Sequence, residues 1–432
     1  MHDVLDPRDL VPDEAEQLVS AGYPAEELLD RARQAAADAD LPALAAIENE
    51  LAALQRRPDW PYEEPVTPTD LTPSVATTEF DEDALPDRVT GAWLGRCVGN
   101  TMGKPVEGLG RAEVRKYLEA AGDWPLSGFV PYLEEVPAGL TPHPSAGEAS
   151  DGQFDAIPRD DDLDWTMLGL HVLEKYGRDV GTRDIAREWL DRMPFTQTYT
   201  AERVAYRNLV TGLQPPLTAT IRNPYREWIG ALIRVDIYGY VSPGDPAEAA
   251  RLALTDALLS HTANGVYGAQ WAAALVAQAL VVDDVADALR VALEVVPPKS
   301  RLAESQRALL DLHASGAGYE QALDWVDEAL DYNWVHTLNN AGIITTALLW
   351  GEGDYVKTLG IAVGAGRDTD STAATVGSVF GAVHGASAIP AALVAQGRGI
   401  VRSAVRGFDR ITVDDLAART NAVRRSLRPS TS

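Results

Sequence analysis

The sequence predicts an all-α fold, a compact multi-helix bundle preceded by a helical N-terminal extension. From Asp87 onward apolar residues recur at three- and four-residue intervals almost without a break. Alanine is far more abundant than the β-branched and aromatic residues that mark strands, and alternating runs such as Ile233 to Val241 are short.

The elements follow in order. Residues 1–57 read as a helical hairpin: leucines and alanines keep helical spacing from Pro24 to Asp38 and from Leu41 to Leu54, and Asp40-Leu41-Pro42 supplies an N-cap with proline in the first turn. Residues 58–86 read as a Pro-rich linker or strap, because 58–75 hold five prolines beside Trp60 and Tyr62, a composition that favours extended backbone. Residues 87–432 read as one domain. Its helices are expected at 88–103, 163–177, 183–192, 200–212, 246–260, 265–281, 283–296, 301–315, 319–331, 335–350, 354–365, 369–385, 388–398 and 413–427, with long loops near 121–158 and 213–224.

Composition limits the function. With 432 residues, 46% of them hydrophobic, the chain can bury a large core. A formal charge of −27, from 64 acidic and 37 basic residues, opposes nucleic-acid backbones and anionic membranes. Cys97 is the only cysteine, so neither a disulfide framework nor a thiolate zinc site is expected. No run approaches the roughly 18 apolar residues of a membrane span, and Met1-His2-Asp3 lacks a basic leader region, so the expected location is cytoplasmic. Nothing in the sequence specifies an oligomeric state.

Two acidic clusters stand about two hundred residues apart, each heading an apolar helix. Arg159-Asp160-Asp161-Asp162, with Asp164, precedes Trp165 to Leu170; Gly366-Arg367-Asp368-Thr369-Asp370-Ser371 precedes an Ala- and Gly-rich stretch. Helix capping accounts for one carboxylate in each. Four carboxylates in five residues repel one another, however, and carboxylates from distant segments are the usual way to hold a hard divalent cation. A third segment, Asp87 to Gly108, spaces glycines at 91, 95, 99 and 103, a smooth face for close helix packing, and ends in a turn bearing Glu107.

Together these segments resemble the ADP-ribosylglycohydrolase family, which includes dinitrogenase-reductase-activating glycohydrolases and ADP-ribosylhydrolases. Its pattern is a glycine-rich helix ending in Gly-x-Pro-Val-Glu, an Asp-Asp cluster heading a helix, and a late Gly-x-Asp-Thr-Asp-Thr. The resemblance covers about 87–398, making 87–432 the catalytic domain. It implies an all-α glycosidase with two ions, Mg²⁺ or Mn²⁺, and an ADP-ribosylated protein or a small ribosylated metabolite as substrate. Asp368, Asp370 and Ser371 match the late metal ligands, with serine replacing the usual threonine. Glu107 matches the glutamate that handles a water or proton, and Asp161 joins it as a catalytic residue as well as a metal ligand.

The first cluster departs from the family's Thr-Asp-Asp-Thr. Alignment on Leu173-Glu174 makes Asp160 and Asp161 the ligands, and a one-residue gap makes them Asp161 and Asp162, so all three remain candidates. Asn223 to Asp236 and Ser260 to Gly268 are similar to a bacterial subgroup. There the resemblance puts His261, Asn264, Gly265, Tyr267 and Gly268 along the substrate cleft, where N–H groups at a helix start bind phosphate or sugar; a packed helix-cap role is the alternative for His261. Arg159, Arg222, Arg226 and Arg367 either meet a pyrophosphate or pair with neighbouring carboxylates. The reaction expected is hydrolysis of the C1 glycosidic bond of an ADP-ribosyl group. The alternatives are the same chemistry on a small NAD-derived or nucleoside-like N-riboside, and a non-catalytic ADP-ribose-binding protein.

Overall fold

The computed structural model describes residues 5–66 and 71–427. Residues 1–4 of the extension, 67–70 of the strap and 428–432 therefore lie outside the described residues. The helices run α1 Pro7–Ser20, α2 Glu26–Ala37, α3 Leu41–Ala53, α4 Leu85–Gly103, α5 Arg111–Ala121, α6 Ala146–Ala149, α7 Asp161–Tyr176, α8 Thr182–Arg192, α9 Thr200–Val210, α10 Leu217–Thr220 and α11 Asp236–Tyr240. They continue as α12 Pro246–Ala257, α13 Ala263–Ala279, α14 Val285–Leu293, α15 Arg301–Ala314, α16 Tyr319–Ala329, α17 Thr337–Trp350, α18 Tyr355–Gly364, α19 Thr369–His384, α20 Ala391–Gln396 and α21 Val413–Ser426. Among the described residues the only strands are β1 Ile400–Val401 and β2 Ile411–Thr412, paired antiparallel. The fold is all-α, as expected.

The centre of the bundle is made of largely apolar helices buried on every side. All 17 residues of α13 and all 14 of α17 are buried. A helix that is hydrophobic all round has no solvent face to present and belongs in the interior of a large domain. Around this centre lie amphipathic helices such as α8 and α14, which bury one stripe of apolar side chains.

α4 and α19 meet along their whole length, and glycine is the reason. A Cβ on Gly95 would lie 2.0 Å from the Gly377 carbonyl oxygen, one on Gly99 2.1 Å from that of Ala373, and one on Gly103 2.1 Å from that of Thr369. A Cβ on Gly381 would likewise lie 2.0 Å from the Gly91 oxygen. Each step of four along α4 matches a step of four backward along α19, so the helices are antiparallel and in backbone contact. The C-terminal end of α4 is thereby delivered to the N-terminal end of α19.

The N-terminal extension is three helices, where a two-helix hairpin was expected. α1 starts at Pro7, in the first turn where proline is tolerated, with Asp6 accepting from the Arg8 N–H at 2.9 Å. Val11, Ala15, Leu18, Leu28, Ala32, Leu44, Ile47 and Leu51 form a small core of their own. The extension docks through Gln17 Nε2 to Glu227 (2.8 Å), Arg226 to Glu14 (2.6 Å) and Tyr225 to Asp13 (3.0 Å).

The strap runs beside α13 in the same direction. Glu64 accepts from Asn264 Nδ2 at 2.7 Å, Tyr267 Oη donates to the Pro65 carbonyl, Gln270 donates to that of Leu71 at 2.8 Å, and Gln278 donates to Thr78 at 3.1 Å. Extended backbone packed against a helix has no ladder to satisfy its carbonyls, and Tyr267 and Gln270 do so instead for Pro65 and Leu71. Ile233 to Val241, an alternating run in the sequence, is helical: a 3-10 segment over Ile229–Arg234 followed by α11.

Candidate metal centre and hydrolase site

Three chain segments converge at the meeting of α4 and α19. After Gly103 the backbone makes a 3-10 turn, Lys104–Val106, and then presents Glu107. Gly108 N–H donates to the Arg367 carbonyl at 2.9 Å and Arg367 N–H returns to Leu109 at 2.7 Å, which zips the Glu107 turn to the loop before α19. Gly366 (φ +72°) and Arg367 (φ +69°) both take the left-handed conformation there. For Arg367 that is a strained state, and the surrounding hydrogen bonds hold it. The third segment is the head of α7, which brings in the first acidic cluster.

The carboxylates form two triads that share Asp370. Within each of Glu107–Asp368–Asp370 and Asp160–Asp162–Asp370, one ligand oxygen per residue lies within 4.8 Å of the others. Ser371 Oγ donates to Asp162 Oδ2 at 3.3 Å, joining the late motif to the early one. Asp162 Oδ1 and Asp370 Oδ1 are buried without a hydrogen-bond partner. A buried carboxylate oxygen left unsatisfied is costly, and a hard cation is the partner that an all-oxygen set of this kind suits.

Of the three candidate aspartates, Asp160 and Asp162 meet Asp370 in one triad, and Asp161 falls in neither triad. Asp160 is the N-cap of α7, in extended conformation (φ −149°, ψ 151°), and its Oδ1 accepts from the Asp162 N–H at 2.9 Å. Capping holds the Asp160 carboxylate against the Asp162 N–H, while Asp161 remains half-buried. Capping and cluster membership are thus not alternatives at Asp160. The fourth carboxylate, Asp164, is spent elsewhere, on Arg159 Nε (2.7 Å), Ser403 Oγ (2.6 Å) and the Ala404 N–H (3.0 Å).

Burial and mutual repulsion set the ionisation of the cluster. Loss of water, then the charges of Asp370 and Asp368, push the Glu107 carboxyl up; loss of water, then Asp160 and Asp370, do the same for Asp162. Burial together with Asp160 pushes Asp161 up to about 8, and Asp370 is pushed up to about 6 by the same two causes. Asp160 goes the other way. Burial opposes its charge, yet the Lys104 ammonium and the Asp162 N–H hold it below the usual carboxylate range.

Two neighbours of the site carried no signal in the sequence. His143, from the long loop after α5, places Nε2 3.4 Å from Glu107 Oε2, and burial lowers its pKa to about 4, so the ring is neutral at ordinary pH. Lys104 occupies the open position of the Gly-x-Pro-Val-Glu pattern and pairs with Asp160.

The residues assigned to the substrate are packed by the chain itself. His261 is fully buried, with Nδ1 2.8 Å from Ser260 Oγ. Asn264 is held by Glu227 (2.9 Å) and Glu64 (2.7 Å), and Tyr267 by Pro65. A Cβ on Gly265 would meet the Arg226 oxygen at 2.5 Å, and one on Gly268 would meet Thr337 Cγ2 at 2.3 Å, so these glycines serve close packing. The head of α13 does attract an anion, but the anion is Glu227, whose Oε2 receives the Asn264 N–H at 3.3 Å. The four arginines are paired likewise: Arg159 with Asp164, Arg222 with Glu48, Arg226 with Glu14 and Arg367 with Asp327.

The family model for ADP-ribosylglycohydrolase matches residues 81–426. The chain belongs to the ADP-ribosylglycohydrolase family. Membership makes it a glycohydrolase, in a family that acts on ADP-ribosylated substrates and is typically metal-dependent. A solved chain from an "ADP-ribosylglycohydrolase-related protein complex" is similar at 21% identity and a TM-score of 0.47, over 80% of this chain and 100% of that one. No curated protein matches. Among the described residues of this ADP-ribosylglycohydrolase family member, no helix is long and apolar enough to cross a membrane.

Proposed function

We propose that this ADP-ribosylglycohydrolase family member is a metal-dependent hydrolase that cleaves the C1 glycosidic bond of an ADP-ribosyl group. The observation that carries the reading is the convergence of Glu107 with Asp368 and Asp370, from segments some 260 residues apart, within 4.8 Å. Glu107, Asp368 and Asp370 would hold one Mg²⁺ or Mn²⁺ ion, and Asp160, Asp162 and Asp370 a second. Bound there, the ions supply positive charge that orients ribose hydroxyls and acidifies a water.

Glu107 holds and moves the proton. Its side chain is the more open member of its triad, about a fifth exposed, so it can reach a substrate that Asp368 and Asp370 cannot. Neutral His143, 3.4 Å away, orients it. Proton transfer by a positioned carboxyl of this kind contributes typically about 10²–10⁴-fold. Asp161 lies half-buried beside the triads, with its pKa pushed up to about 8 by burial and by Asp160.

A small ribosylated metabolite is the second reading. It is favoured by the extension and strap, which cover α13 and the 225–228 loop and leave the 261–268 segment engaged by the chain's own residues. Asn substitution of Asp368 and of Asp370, assayed on ADP-ribosylated peptides and on N-ribosides, tests both. Loss of hydrolysis on one substrate class selects that class; unchanged hydrolysis with metal still bound overturns the assignment.

A further inference from the structure

The two triads are not equivalent, because one of them already contains a cation. The Lys104 ammonium contacts Asp160, both side chains being at least nine-tenths buried, and Asp370 and Glu107 also act on its charge. The lysine is held there by its backbone. Gly103 before it lies against the Thr369 carbonyl, and a Cβ on Gly103 would sit 2.1 Å from that oxygen. Pro105 follows it, and the Pro105 carbonyl accepts from the His143 N–H at 3.1 Å. The ammonium is therefore tethered inside the cluster on a fixed turn, with nine-tenths of the side chain out of water.

Asp160 and Lys104 together form a neutral pair. One carboxylate of the Asp160–Asp162–Asp370 triad is thus in direct contact with an ammonium, whereas the Glu107–Asp368–Asp370 triad feels that charge only from farther off. Charge on the ligand set is what tunes the affinity of an oxygen-ligand site. The unsatisfied oxygens Asp162 Oδ1 and Asp370 Oδ1 still invite an ion to the second triad, but one that arrives there is placed beside a fixed ammonium.

We propose that the Lys104 ammonium is an internal cation that holds the Asp160 corner of the second triad and makes the two metal positions unequal. The Glu107–Asp368–Asp370 position fills first, and the Asp160–Asp162–Asp370 position fills only against the charge of the lysine. The inference rests on the metal-dependent reading above and adds to it an order of occupancy.

The test is a titration of the full chain with Mn²⁺ alone, reading free Mn²⁺ by electron paramagnetic resonance. The wild-type protein is expected to bind one ion tightly and a second at least tenfold more weakly. K104M should bring the second affinity to within a few-fold of the first, and K104R, which keeps the charge, should behave as wild type. Because K104M leaves Asp160 buried without its partner, the same variants are also melted with and without Mn²⁺; K104M should gain more from the ion than K104R does. Two equal ions in the wild type, or an unchanged second affinity and melting gain in K104M, would overturn the role of Lys104 alone. A wild-type chain that binds no Mn²⁺ would overturn the metal-dependent reading as well.

Discussion

Gly95 of α4 and Gly377 of α19 touch backbone to backbone: a Cβ added to either would lie 2.0 Å from the other's carbonyl oxygen. This contact, repeated at Gly91, Gly99 and Gly103, sets the distance between the turn that carries Glu107 and the helix start that carries Asp368 and Asp370. The expected effect of G95A is therefore twofold. Overpacking of this kind costs about 1–3 kcal/mol, read as a shift in the denaturant midpoint. Glycohydrolase activity should fall further than the lost stability explains, since the two halves of the site are moved apart.

Replacing Glu107 with Gln removes the proton-handling group without changing its size. The turnover number is expected to fall by about 10²–10⁴-fold. Mn²⁺ binding should weaken as well, because one carboxylate of its triad is neutralised; steady-state kinetics and a metal titration on the same sample check both.

The strap is anchored by a buried ion-pair network. Arg301, 2% exposed in its side chain, donates to Glu64 at 2.8 Å and to Glu227 at 2.7 Å, and also to the Ser20 carbonyl at 2.8 Å. R301M strands two carboxylates at once and is expected to destabilise the protein by about 3–5 kcal/mol. Limited proteolysis should then cut first within residues 58–66, where wild-type protein resists.

One acid-sensitive contact lies away from the active site. Burial alone would raise the pKa of Glu188, but hydrogen bonds from Lys175, Tyr176 and His171 outweigh it and lower the pKa from 4.5 to about 2. The unfolded carboxyl thus takes up a proton before the folded one. The stabilisation from Glu188 is complete above pH 4.5 and is lost as pH falls toward about 2. Unfolding free energies of E188Q and wild type, measured across this window, should converge as the pH drops.

How much of this was legible in the sequence depended on whether the relationship was local. Glu107, Asp368, Asp370 and Ser371 lie in the short motifs that carry the resemblance to the family, and the four-residue glycine repeat gave away the close packing of α4. The meeting of Asp160 and Asp162 with Asp370 goes with the extended conformation of the Asp160 cap, which spacing alone does not specify. His143 sits in a loop without periodicity, and Lys104 fills a motif position that any residue can occupy. The packing of His261 to Gly268 was not legible, because Glu64 and Glu227, distant in sequence, fold onto the head of α13. α1 was missed because Pro7 and Pro12 break the helical pattern, although Pro7 lies in the first turn.

The most direct measurement is release of ADP-ribose from an ADP-ribosylated peptide, followed by mass spectrometry, with Mg²⁺ or Mn²⁺ and with a chelator. A carboxylate-held metal centre predicts release that depends on the added ion, stops with chelator and is restored when the ion is returned. Equal release in chelator by protein shown to be metal-free would contradict it.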